Sequence, residues 1–487
     1  MIQTLDQSPA SPDVLREDAG RQSPPAKAPR TAWLQTLLFG AVAAGLLCWI
    51  GFYNGYPILT ADSGSYLYSG AFGRAVWPYR APGYGAFMKW TRLRTSSWLT
   101  IAAQAILVVY ILRETLAHLI GGERSYIDRC LLYGACLLAV LTGLPWLVSE
   151  LMPDVFAGVL LLAAFLLAFA GELGLKQQIA LTLLLTVSVA SHTSLLPITV
   201  LYVAVLVGLR LADRGSFCLP PLPSVLVWLL VPVIAAGFYT AMQNRKMGLG
   251  FSLSPTKNYF LLGRLFGNGM VRDYLRENCP EHPFLSCQYL SNLPRDEANF
   301  LFEHPLMPVL RAHPDEVSTI AHAAILADPQ RFLVSSAQQT LHQLVSLRTG
   351  GDTRLHPLTD VNFHFILMVI PKEFQPFFIS KQFSDGLVPL TDALAPVHTA
   401  VFWLSLVGCA LFAWAGRYAQ INKLFAAAVG FLVINAAVCA SLSGAYDRYQ
   451  SRVAWVVPFC LLAYVCSALR ERKGGAARGD PIHPFHP

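Results

Sequence analysis

Apolar runs of about the length of a membrane crossing recur along this chain, and they limit the fold more than any other feature. One crossing takes about 20 apolar residues. Within lipid every backbone N–H and C=O must find its partner inside the protein, so such runs fold as helices. The composition agrees, at 54% hydrophobic and 13% charged, where a soluble domain carries roughly 25% charged residues. The sequence predicts an all-α polytopic membrane protein with ten spans, near 32–52, 98–117, 130–148, 155–172, 177–191, 195–211, 224–243, 397–415, 423–441 and 453–469. The pair 177–191 and 195–211 is short, and Ser191-His192-Thr193-Ser194 between them must turn very tightly.

Charge sets the orientation. Arg113, Arg124 and Arg129, then Lys176, Arg210 and Arg214, Arg417 and Lys423, and Arg470, Arg472 and Lys473 share one side if both termini are cytoplasmic, as the bias of Lys and Arg to inner loops requires. The net charge of +7 is thereby spent on orientation, and no nucleic-acid partner is implied. Residues 1–30 are polar and rich in Pro, Ser and Ala, with no apolar stretch of a cleavable signal, and read as a disordered cytoplasmic tail. Residues 471–487 read as a second cytoplasmic tail. The inner loops are short and hold no phosphate-binding glycine motif.

The polar chemistry falls on the outer side. Residues 31–243 form an N-terminal membrane module with an outer loop at 53–97, residues 244–396 an outer segment richer in charge and proline, and 397–470 a C-terminal membrane module. In the outer segment helical patterns fit 258–277, 295–303, 315–328 and 330–347. Phe363–Ile370 is apolar but too short to span, which suits the membrane interface. Cys279 and Cys287, the segment's only cysteines, are expected to pair as a disulfide on an oxidising face. A zinc pair with His282 lacks a second pair of ligands. The other eight of the ten cysteines fall in spans or at the inner edge, where apolar packing is expected.

Four outer clusters can carry chemistry. Asp62, in Tyr56-Pro-Ile-Leu-Thr-Ala-Asp62-Ser-Gly-Ser-Tyr66, is either an exposed interface residue or a base that takes a hydroxyl proton. Tyr66 and Tyr68 could stack on a sugar. Glu150 and Asp154 sit where acids are costly unless solvated or used. Asp154 can serve the first turn of a helix started by Pro153. If 150–154 is one helical turn, both acids point the same way and could orient an acceptor or hold a divalent cation. His192 is a satisfied interface residue or a phosphate or hydroxyl contact. Arg448 and Arg452, four apart, share a helix face and suit bidentate phosphate binding; the plain alternative is an Asp447–Arg448 surface pair. Arg80, Lys257 and Arg264 are further outer cations, equally suited to anchoring on anionic lipid.

Taken together, these residues resemble the GT-C superfamily of polytopic glycosyltransferases that use polyprenyl-phosphate-linked sugars. The likeness rests on Asp62-x3-Tyr66 with Arg80-x-Pro82-x-Tyr84, on Glu150-Leu-Met-Pro-Asp154, on Ser191-His192-Thr193, and on Tyr446-Asp447-Arg448-Tyr449 with Pro458. Their order and sidedness match along most of 31–470. The resemblance implies Asp62 as general base and Arg448 as a phosphate contact. With the reading of the outer clusters themselves, the expected substrate contacts are Tyr66, Arg80, Tyr84, Glu150, Asp154, His192, Lys257 and Arg452. A departure is that Asp62 is followed by Ser63, where many members carry a second acid. Another is the large outer insertion at 244–396.

The expected function is transfer of a sugar from a polyprenyl-phosphate donor to a glycan, lipid or protein acceptor at the periplasmic face of a bacterial inner membrane. No cofactor is required by this reading beyond a divalent cation that the acids could hold. The rivals are a ligase or polymerase of lipid-diphosphate glycans, and a transporter or flippase. No repeat between the two halves supports transport.

Overall fold

The computed structural model describes residues 30–77, 79–93, 95–171, 173–213, 219–351, 353–354 and 361–478. The N-terminal tail, Arg214, Cys218 and the chain after 478 lie outside them. In chain order the helices are α1 Arg30–Leu47, α2 Trp49–Asn54, α3 Ser63–Phe72, α4 Pro82–Thr91, α5 Trp98–Ile120, α6 Arg124–Leu141, α7 Leu144–Ser149, α8 Val155–Phe169, α9 Leu175–Ser191, α10 Leu195–Ala212 and α11 Leu222–Lys246. They continue as α12 Lys257–Gly267, α13 Met270–Asn278, α14 Leu306–Ala312, α15 Pro314–Ala327, α16 Pro329–Val345, α17 Val361–Val369, α18 Phe374–Phe378, α19 Val388–Trp414, α20 Ala419–Leu442, α21 Asp447–Ala454 and α22 Val456–Arg478. Among the described residues there is no strand, only one isolated parallel bridge between Ile58 and Glu150.

This is an all-α multi-pass membrane protein. Among the described residues six helical runs are long and apolar enough to cross: Trp98–Ile120, Leu195–Ala212, Leu222–Lys246, Val388–Trp414, Ala419–Leu442 and Asp447–Arg472. Trp33–Leu47, Val155–Phe169 and Leu175–Ser191 are shorter apolar helices.

The hub is α8. Its sequence VFAGVLLLAAFLLAF is apolar on every face, and every one of its residues is buried. A helix that is apolar all round belongs inside a protein or a membrane. Small residues let neighbours close in: a β-carbon on Gly158 would overlap the Trp455 ring. Helices α5, α9, α10, α11, α20 and α21 pack around it, so its N-terminal end at Asp154 lies at the centre of one end of the bundle.

The outer segment divides into two parts. Residues from Tyr259 to Ala324 build a core of their own from α12 to α15. The Cys279–Cys287 disulfide closes a loop beside it. The helix expected across 258–277 is broken, because Asn268 and Gly269 intervene and Gly269 takes φ +82°. From α16 onward the chain returns to the main body. There α16 packs on α20, α17 packs on α3, and Ile366, Ile370 and Phe377 enter the main core.

That returning chain stitches down the loop before α3. The Gln382 side-chain amide donates to Leu59 O (2.5 Å), and its oxygen accepts from Leu59 N (3.0 Å). Asn54 Oδ1 accepts from Gln382 N (2.7 Å). Tyr56 donates its hydroxyl to Glu373 (2.6 Å), which also accepts from Ser97 N (2.7 Å). On the other side Ile58 N donates to Ser149 O (2.8 Å) and Leu151 N to Ile58 O (2.9 Å).

These bonds explain a correction. Residues 150–154 do not form a helical turn: Glu150 is extended, with φ −82° and ψ 139°, because the bridge to Ile58 draws the chain straight. The two acids therefore do not share a helix face.

The start of α4 meets the end of α9 so closely that a β-carbon on Gly83 would overlap the Ala190 carbonyl. Backbone cannot yield as a side-chain tip can. Gly83→Ala is expected to cost about 1–3 kcal/mol and to lower the thermal unfolding midpoint in detergent. An unchanged midpoint would mean that the two helices are not in contact.

Candidate functional site

Asp62 stands at the head of α3, but its carboxylate does not cap that helix. It turns instead between two guanidinium groups. Oδ1 accepts from Arg80, which precedes α4, and Oδ2 accepts from Arg448 Nη1 of α21 at 3.2 Å. Arg448 Nε also faces Asp154 Oδ2 at 3.4 Å. One turn later in α21, Arg452 Nη1 approaches Asp154 Oδ1 at 3.5 Å. Three arginines and two aspartates, from four separate stretches of chain, thus form one ion-pair network. Arg448 and Arg452 do share a face of α21. Asp447 takes no part, and its carboxylate accepts from Arg348 N (3.2 Å).

Burial gives the network its stiffness. Arg452 and Asp154 are fully enclosed. A buried guanidinium is tolerable only if its donors are met. Arg452 Nη2 reaches Asn435 Oδ1 (2.7 Å), Ser194 Oγ (3.0 Å) and Cys439 Sγ (3.5 Å). Ser194 accepts from Arg452 and donates to His192 Nδ1 (2.9 Å), which also accepts from Ser194 N (3.2 Å). These bonds place the His192 proton on Nε2.

Burial and then the charges of Arg452, Arg448 and Arg80 hold the His192 pKa well below its usual value, so the ring is neutral. For Asp62, burial alone would raise the pKa; Arg80 and Arg448 outweigh it and hold the carboxyl below its usual value.

Beside this network lies a cavity of about 630 Å³. Its polar end is made by Tyr66, Arg80, His192 and Ser194. Leu196, Pro197, Phe251, Leu253, Val438 and Leu442 make an apolar wall, and Lys257 and His322 enter from the outer segment. Glu150 and Arg448 border a separate space of about 20 Å³ near Gly350 and Gly351. A polar, cationic end joined to an apolar wall suits an anionic head on an apolar tail.

Several expected contacts are placed elsewhere. Tyr84 is fully buried and away from the cavity. It donates to Gln104 Oε1 (2.6 Å), whose amide donates in turn to Val148 O and Glu150 O. Tyr84 therefore supports the acidic turn and the ring of Tyr66, 5.1 Å away edge to face, and does not meet a substrate. Arg452 and Asp154 are committed to internal partners and act as supports. Arg264 is not a lipid anchor: it is buried and donates to Ala440 O (2.9 Å). Among the described residues no three His, Cys, Asp or Glu side chains are grouped to hold a metal ion. Asp154 faces two guanidinium groups, which leaves little room for a cation there.

Three supports were not singled out from sequence: Asn435 within α20, Gln104 within α5 and Glu297 in the outer segment. An amide inside an apolar run is a visible signal for the first two. Compared with known family models, curated proteins and solved structures, the chain matches none.

Glu297 joins the outer segment to the cavity wall. It is buried and accepts from Ser443 Oγ (2.7 Å) and Tyr446 OH (3.3 Å). Burial pushes its pKa up to about 7 against the bonds from Ser443 and Tyr446 and the charges of Arg264 and Arg80. A carboxyl raised from 4.5 to about 7 contributes docking that is full below the lower value and lost as pH rises through the upper one. Protection factors at 443–446, exchange corrected for the intrinsic rate at each pH, are expected to be higher at pH 5 than at pH 8, and Glu297→Gln is expected to abolish that difference in protection. The same pH dependence in the variant would assign it to another group.

Proposed function

We propose that this chain is a ten-span glycosyltransferase of a bacterial inner membrane, its site facing the periplasm, and that it uses a polyprenyl-phosphate sugar. The observation that carries the reading is the Asp62 carboxylate held between Arg80 and Arg448, beside a cavity that is cationic at one end and apolar along its wall. The resemblance of the Asp62, Glu150–Asp154, His192 and Arg448 motifs to the GT-C superfamily points the same way.

The chemistry follows from the competition for those arginines. Phosphate and carboxylate both favour guanidinium. A donor phosphate entering the cavity meets Arg80 first. By displacing the Asp62 carboxylate it reaches Arg448, which lies behind Asp62 and outside the cavity lining. Asp62 then loses the charges that held its pKa down. It becomes a stronger base as the donor arrives. An acceptor hydroxyl then attacks the anomeric carbon. The bond from that carbon to the phosphate oxygen breaks, its electrons stay on the phosphate, and the hydroxyl proton passes to Asp62. The two arginines stabilise the charge that develops on the leaving phosphate. Neutral His192 can donate Nε2–H to a phosphate or hydroxyl oxygen, and Tyr66 offers a ring to the sugar.

Purified protein given polyprenyl-phosphate sugars together with a cell-envelope extract as the source of acceptor is expected to release polyprenyl phosphate, and Asp62→Asn to reduce the rate ~10²–10⁴-fold with the fold intact. Wild-type release only from diphosphate-linked glycans would favour a ligase, and full activity of the variant would remove Asp62 as base. A second outcome follows from the competition. The acid limb of kcat reports the donor complex and that of kcat/KM the free enzyme, so the kcat limb is expected at higher pH. Coincident limbs would contradict the exchange of partners.

A further inference from the structure

Helix α16, Pro329–Val345, is turned inside out for a helix in water. Its protein-facing side is polar. Ser336 and Gln343 are its buried residues. Gln343 exchanges two bonds of 2.8 Å with the Tyr446 backbone. Ser335 Oγ accepts from Arg264 and Asn268, each at 3.2 Å, and Thr340 bonds back to Ser336 O.

Its outward side is apolar. Leu333, Val334, Leu341 and Val345 are 67, 50, 66 and 58% exposed, and Ala337 lies exposed among them. The only formally charged residue of the helix, Arg331, is held at the edge of that side by Asp273 (2.8 Å) and Asn268 O (2.7 Å), in an ion pair that stays partly exposed. Gln330, Gln338 and His342 are the polar residues exposed on the outward side, His342 at the edge of the aliphatic arc. A water-facing helix shows the reverse pattern.

We infer that this face of α16 is sunk in the hydrocarbon of the outer leaflet, so that the segment expected to stand clear of the membrane carries a membrane-embedded helix. Continuity decides the occupant. Helix α16 packs on α20 and touches α21. α20 is itself apolar and long enough to span, with Val429, Val433 and Leu442 exposed on its own surface. The aliphatic arc of α16 extends that surface. A helix lying in the interface sinks its apolar face about 5–10 Å into the boundary of headgroup and acyl chain, a depth that four aliphatic side chains can reach.

The consequence is positional. Through Arg264 the cavity-lining α12 is tied to α16, and through Gln343 so is the turn that carries Tyr446. The cavity's outer wall is thereby held at the level of the bilayer surface, where Lys257 and His322 border it. The inference stands whether or not the chain transfers a sugar.

The test uses full-length protein in phospholipid vesicles that contain a lipid with a photoreactive group on its acyl chain. Photolysis and peptide mapping are expected to find lipid adducts at Leu333, Val334, Leu341 and Val345. Yields should lie within about threefold of those at Leu404 and Leu411 on α19, which are 71 and 66% exposed on another spanning-length helix. In parallel, Leu341→Cys is expected to react with a water-soluble maleimide at least tenfold more slowly than Arg276→Cys on the polar surface of α13. Adducts on α19 with none on α16 would overturn the inference. Fast labelling at 341 would show that the face meets water. Slow labelling without lipid adducts would show that a partner protein or a second copy covers it.

Discussion

A buried charge in a membrane protein must be answered by another charge or by hydrogen bonds, and this structure is arranged around one such set. Removing ions from water costs several kcal/mol each, which partners recover only with good geometry. Arg452 and Asp154 have no exposure, so each needs the other. Asp154 then fixes Arg448, and Arg448 with Arg80 fixes Asp62. The positions of α21, the head of α8 and the loop before α3 follow from that chain of pairings. So does the chemistry: a carboxylate that neutralises two arginines marks the place where an incoming anion can replace it.

The surrounding fold makes the set rigid on one side and open on the other. Beneath it, α8 is enclosed along its whole length and gives Asp154 a fixed position. Beside it, Gln382 clamps both backbone groups of Leu59, three residues before Asp62. Arg80 and His192 border the cavity, while Arg452 and Asn435 stand behind them. Supports and contacts are thus separated by whether they border the cavity, and substitution of a support is expected to act through the geometry of its neighbours. The outer segment completes the arrangement by bringing Lys257 and His322 to the rim, with Glu297 fastening it to Ser443.

The helices were legible because hydropathy and helical period are local. The runs near 195–211, 224–243 and 423–441 lie within α10, α11 and α20, and the Ser191–Ser194 turn is as tight as its length requires. Asp62, Arg80, Asp154, His192 and Arg448 could be picked out because ionisable groups at the ends of apolar runs are few. Their pairing could not, since contact between residue 62 and residue 448 depends on how the whole bundle packs. Tyr84 and Arg452 carry the same side-chain chemistry whether they meet a substrate or support a neighbour, and only their place off the cavity wall separates the two roles. The extended conformation of Glu150 came from a bridge to Ile58 that no local pattern announces. The reversed polarity of α16 was written in its sequence, but a helical pattern alone does not tell which face looks outward.

The central claim is that Asp62 and a lipid phosphate compete for Arg80 and Arg448. Equilibrium binding of polyprenyl phosphate and of the matching polyprenol, to wild type, Asp62→Asn and Arg448→Ala, tests it most directly. The account predicts that the phosphate binds better than the alcohol, that Asp62→Asn binds the phosphate more tightly than wild type, and that Arg448→Ala binds it more weakly. Equal binding of phosphate and alcohol, or phosphate binding that Asp62→Asn weakens or leaves unchanged, would contradict it.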